Sequence, residues 1–174
     1  MMGGRTAELV VCPFGILAFD EGGELVRYAR FPRDAKAVAR KLMAMMDGRP
    51  VRELLGLVKA LRDEGFDAFS LESPELARGL GEELGVTASA RAPLASAEAV
   101  RADLEGFARK VGFLGADEEL GPWVHEVAME LSRALVRRSL EKRDLVVAQA
   151  INMIDDIDRT LNLFANRIRE WYNI

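Results

Sequence analysis

The chain is poor in the residues that carry most protein chemistry: it has one cysteine, one histidine and one glutamine in 174 residues. A lone Cys12 cannot close an internal disulfide, and it lies in a strand-like run, which suits a reducing compartment and a small buried hydrophobe. With His125 as the single histidine, no histidine-based metal cluster can form. No serine, and not Cys12, falls in a recognisable nucleophile motif. Also absent is any apolar run near the roughly 18 residues of a membrane span, and the opening MMGGRTAEL lacks a long apolar stretch before a small-residue cleavage site. The expectation is a soluble, intracellular protein. Basic charge is not in excess either: the net charge is −4 and the pI about 5.2. That excludes a domain-wide basic surface for nucleic acid but leaves room for a local patch. Only five of the 24 basic residues are lysines, an arginine bias that fits a thermophile or a GC-rich genome.

What is there is apolar material in helical and strand patterns, 49% of the residues and enough for one real core. From Ala7 to Phe31 three short runs, ELVVC, GILAFD and ELVRYARF, read as strands, with Pro13-Phe14-Gly15 and Glu21-Gly22-Gly23 as turns. Asp34 caps a helix with the stripe Ala35, Val38, Leu42 and Met45, ending at Gly48. Pro50 opens a second with Val51, Leu54, Leu55, Val58 and Leu61 on one face. A strand FDAFSLE, a helix started by Ser73-Pro74-Glu75 and a short strand VTASAR follow, then a helix with Val100, Leu104, Phe107 and Val111. The fold class is α/β, a small mixed β-sheet flanked by helices, with a long helical extension.

That extension is the chain's most distinctive stretch. Pro122 opens it, and Val124, Ala128, Leu131 and Leu135 form a first apolar face. Further on, Val147, Ala150, Ile154, Ile157, Leu161, Phe164, Ile168 and Trp171 alternate at three and four, the seam of a coiled coil, widened by Ile151, Met153, Ala165 and Tyr172. The two faces are out of register by about 200° at 100° per residue, so the apolar side switches between about Val136 and Val147. The first half is expected to pack on the α/β domain and the second to seek another helix. Asp144 offers a cap for a fresh helix, so a break at Lys142 to Asp144 competes with one continuous helix. The expected division is 1–115 for the α/β domain and 116–174 for the extension.

Three linked motifs, Gln149-Ala150-Ile151, Asp155-Asp156-Ile157-Asp158 and Arg169-Glu170-Trp171-Tyr172, resemble the opening of the coiled coil of the Nop family, core scaffold proteins of box C/D small ribonucleoproteins. The likeness extends loosely upstream through His125-Glu126-Val127 and Glu141-Lys142-Arg143-Asp144, and the order of strands and helices suits the family's amino-terminal domain. In the family a glycine follows Trp-Tyr, where this chain has Asn173, and a returning helix and a carboxy-terminal RNA-gripping domain come after it. The resemblance implies an archaeal-type fragment with no enzyme activity and no cofactor of its own: a domain that docks fibrillarin, which carries the methyltransferase chemistry and its S-adenosylmethionine, and the start of a helix for self-association. Guide RNA and the kink-turn-binding protein would be reached only through the carboxy-terminal domain, with no membrane involved. The implied location is the cytoplasm of an archaeal cell, or the nucleolus of a eukaryotic one.

Other readings are weaker on the residues. Asp155, Asp156 and Asp158 resemble the aspartate-rich helices of prenyl-transfer enzymes, but a second acidic helix is wanting; a solvated face, with Asp155 paired to Arg159, needs nothing further. Gly79, Gly81 and Gly85 imitate a dinucleotide fingerprint yet fall within and after a helix. Phe14, in a turn, and Met43 and Leu57, off their helices' stripes, are candidate exposed contacts for fibrillarin, but a core or isolated surface position is the better reading for each. The rival function is a ligand-sensing α/β domain with a signalling coiled coil, which requires a polar pocket near strand ends.

Overall fold

A computed structural model describes residues 4–172. Its elements are β1 (Arg5–Cys12), β2 (Gly15–Phe19), β3 (Leu25–Arg30), α1 (Ala35–Met46), α2 (Arg52–Asp63), β4 (Phe66–Leu71), α3 (Pro74–Leu84), β5 (Thr87–Ala90), α4 (Ala95–Ala102), α5 (Leu104–Lys110) and α6 (Leu120–Tyr172). The strands form one five-stranded sheet in the order β3-β2-β1-β4-β5. β1, β2 and β3 pair antiparallel through tight turns, whereas β1-β4 and β4-β5 are parallel, as strand-helix-strand connections require.

Period-two alternation divides the core between the two faces of the sheet. Ala7, Leu9, Ile16 and Ala18 point to one side, where α1, α2 and α3 bury Val38, Leu54, Leu57, Leu61 and Leu80. Val10, Cys12, Leu17 and Phe19 point to the other, against Leu94, Val100 and Ala108 from the α4–α5 segment. In β4, Phe66 and Phe69 reach the same side although three residues apart. A register shift explains this: Arg5 faces Phe66 but Thr6 faces Ala68, so Asp67 is skipped and the parity flips.

Two glycines are demanded by geometry. Gly48 ends α1 at φ +78°, a left-handed conformation open to glycine at little cost. Gly79, inside α3, lies so close to that turn that a Cβ would sit 1.8 Å from the Gly48 carbonyl oxygen. Of the three glycines that imitate a dinucleotide fingerprint, Gly79 thus serves helix packing.

Several local expectations are corrected. α2 begins at Arg52 with Val51 as its cap, so Pro50 lies before the helix and not at its first position. The region read as one helix from Val100 to Val111 is two, because Asp103 leaves helical geometry (φ −141°, ψ 59°) and its side chain accepts from the Gly106 amide at 3.0 Å, capping α5. α6 runs unbroken through Lys142 to Asp144, so Asp144 starts no new helix. The chain divides into two compact units after Ser132, so the first turns of α6 belong with the strands and the shorter helices.

Candidate interaction surfaces

Within the α/β unit, α6 is attached by aromatic packing. Phe14 occupies the β1–β2 turn with its ring fully buried, 5.8 Å from Phe113, which lies 5.3 Å from Trp123. The Trp123 indole Nε1 donates to the Pro13 carbonyl at 3.0 Å. These contacts set the rotation of the first turns: Leu120 and Val127 are buried and Trp123 is half-buried, while Ala128 and Leu135 are exposed. Of the expected face Val124, Ala128, Leu131 and Leu135, Val124 and Leu131 are half-buried and Ala128 and Leu135 are exposed, so the buried stripe is turned from it by about half a residue, roughly 50°.

Phe14 and Leu57 are consequently core residues and not exposed contacts. Leu57 lies three residues after Leu54 and four before Leu61, which places it in the middle of α2's buried face. Met43 is half-buried. Met46, three residues on, is 56% exposed, whereas Met45 is buried.

Charged side chains tie the α5–α6 connection to the loop after β3. The Arg30 Nη1 donates to the Gly112 carbonyl at 2.9 Å. Arg33 donates to the Phe113 carbonyl, lies over the Phe113 ring at 4.6 Å and pairs with Glu118 at 2.7 Å. That guanidinium, together with the Gly115 amide, holds the Glu118 carboxyl below its ordinary range. Glu105 is held down in the same sense, first by the Leu120 amide at 3.2 Å and then by Arg109. Between these groups and α2 lies an open cleft of about 680 Å³, lined by Arg30, Phe31, Pro32, Arg33, Glu53, Gly112 and Phe113. Sequence reasoning missed it because its walls come from three separated segments.

In the second unit, every residue of the seam Val147, Ala150, Ile154, Ile157, Leu161, Phe164, Ile168 and Trp171 is exposed, from 52% at Ile157 to 83% at Trp171 among the large side chains. Ile151, Met153, Ala165 and Tyr172 beside it are exposed as well. An apolar patch this long exceeds what solvated helices ordinarily carry. Asp155, Asp156 and Asp158 are solvated too, and Arg159 pairs with Asp156 at 3.6 Å, three residues away, instead of with Asp155. Asn173, where the Nop pattern has glycine, is outside the described residues.

Among the described residues, no three His, Cys, Asp or Glu side chains are grouped to hold a metal ion, and no helix is long and apolar enough to cross a membrane. Burial pushes the Cys12 thiol up to about 12 against a smaller opposing pull from Arg101. It is a packed side chain and not a nucleophile at neutral pH.

Nucleolar protein 58 of Yarrowia lipolytica is 29% identical over 167 residues, covering 96% of this chain and 30% of that protein. The proteins of the same name from Coccidioides immitis and Emericella nidulans are each 28% identical, covering 79% of this chain and 23% of theirs. The chain thus spans less than a third of the length of these curated relatives. The model of the archaeal Nop5/56-related N-terminal domain matches residues 8–137, well over half of the chain. On that match, the chain belongs to the archaeal Nop5/56-related N-terminal domain family.

Proposed function

We propose that the chain is a scaffold without enzyme activity in a box C/D ribonucleoprotein that methylates RNA at the ribose 2'-oxygen. The observation that carries this reading is the uncovered seam from Val147 to Trp171, a surface built for association and not for chemistry. The α/β unit docks the methyltransferase fibrillarin, which brings S-adenosylmethionine, and α6 serves self-association, so that one particle holds two methyltransferases. Guide RNA and the kink-turn-binding protein are contacted by a carboxy-terminal domain of the kind the larger relatives have room for. The particle works in the cytoplasm of an archaeal cell; its eukaryotic relatives named above are nucleolar proteins by name.

The test is a pull-down of purified fibrillarin by the folded chain at moderate salt. Retention is the expected result. A folded chain that retains none contradicts the docking part of the proposal.

A further inference from the structure

The three-four repeat of α6 begins before Val147. Upstream, at intervals of four and three, stand Arg143, Leu140 and Val136; all three are exposed, the apolar two at 53% and 60%. The seam of the second unit therefore runs from Val136 to Trp171, and Arg143 is the one charged residue on it. A single charged position on an apolar seam fixes register and orientation at some cost in stability.

Charge along this helix is arranged in blocks. From Arg133 to Arg143 five basic residues stand against Glu141 alone, whereas Asp144 to Asp158 holds four aspartates and no basic residue. Two copies lying parallel and in register would set each block against itself, with Arg143 against Arg143 on the seam. An antiparallel pair sets each basic block along the acidic residues of the other copy, so repulsion becomes attraction.

We propose that α6 pairs antiparallel with a second copy of itself, in the stagger that layers Leu140 on Ile157 and Val136 on Leu161 of the second copy. The same stagger layers Val147 on Ala150 and Arg143 on Ile154, so one alignment serves the whole seam. Between the first two layers, Arg137 and Asp158 of the second copy flank the seam side by side, and two-fold symmetry repeats the pair at the other end. This inference rests on the reading that α6 serves self-association, and it adds direction, register and the residues that set them.

Cross-linking of the full chain with a short bismaleimide tests it. Cys12 is buried and 2% exposed, so an introduced cysteine is the reactive one. Leu140→Cys and Ile157→Cys chains are made separately; the two positions lie about 25 Å apart along one helix. A cross-linked dimer is expected when the two chains are mixed, and from neither alone. Cross-linking of each variant with itself means a parallel pair and overturns the proposal. Chains that sediment as dimers yet cross-link in no combination overturn the stagger. Charge reversal supplies a second readout: Arg137→Asp is expected to weaken association by about tenfold, and Asp158→Arg added to the same chain to restore it. Failure of that rescue in a folded chain also counts against the stagger. A wild type that stays monomeric at high concentration refutes self-association, and this inference falls with it.

Discussion

The indole nitrogen of Trp123 donates to the carbonyl oxygen of Pro13 at 3.0 Å, across 110 residues of sequence. The bond joins the turn between the first two strands to the start of the long helix, with Phe14 and Phe113 completing the contact. Trp123→Phe keeps a ring in place but leaves the Pro13 carbonyl without this donor, at a cost of about 1–2 kcal/mol. Trp123→Ala also removes the ring and should cost about 3 kcal/mol. Urea unfolding of both variants checks the order.

Gly79→Ala should be among the more damaging single-methyl changes in the α/β unit. The new Cβ would meet the Gly48 carbonyl at 1.8 Å, backbone against backbone, so α3 must move away from the α1–α2 turn. A loss of about 3 kcal/mol is expected, read from the midpoint of thermal or denaturant unfolding. Gly56→Ala, where a Cβ meets nothing within 4 Å, is the control and should be neutral or slightly stabilising.

Acid should loosen the α5–α6 connection first. Glu118 and Glu105 both have folded-state pKa values below the ordinary 4.5, Glu118 chiefly through Arg33 and Glu105 chiefly through the Leu120 amide. A depressed carboxyl contributes stability that is fully present above its unfolded pKa and is lost as pH falls through the folded value. Unfolding free energy measured downward from pH 6 should therefore decline below about pH 4.5, and Glu118→Gln should flatten the decline. Both carboxylates are solvent-accessible, so the effect is small and salt-sensitive.

Cys12 should resist alkylation in the native protein. Its side chain is 2% exposed and burial raises its pKa to about 12, so both access and thiolate are lacking at pH 8. Mass spectrometry after iodoacetamide treatment should show modification only when denaturant is added. Ready labelling of the native chain would contradict this packing.

The sheet, its mixed character and most helix limits were legible because their signals are local: alternation in GILAF, the Asp34 and Ser73 caps, Gly48 and Gly85 after their helices. The helical character of Val147 to Trp171 was legible for the same reason, since a three-four repeat needs no tertiary knowledge. What was not legible depended on contacts distant in sequence. Leu57 was read off the α2 stripe because Leu55 competed for it, and only packing on the sheet chose between them. Exposure of Phe14 stayed open because turns are usually exposed, and the Phe113 ring that packs on it arrives from about a hundred residues away. The break at Asp103 was missed because the apolar spacing from Val100 to Val111 continues across it. The edge cleft, made by the β3–α1 loop, α2 and the α5–α6 connection, has no sequence signature. The three linked motifs that pointed to the Nop family lie in Gln149–Tyr172, outside the residues 8–137 that the family model matches, and the two agree.

Association through α6 is tested most directly by sedimentation velocity of the chain beside an Ile157→Asp/Leu161→Asp variant. Both positions are more than half exposed on the seam and lie in the second compact unit, so the α/β unit should keep its circular dichroism and its unfolding transition. Two carboxylates at a helix–helix seam, by contrast, would have to be buried without partners. The wild type is expected to associate reversibly and the variant to sediment as a monomer. A wild type that stays monomeric at high concentration, or a variant that associates as well as the wild type, would contradict the seam.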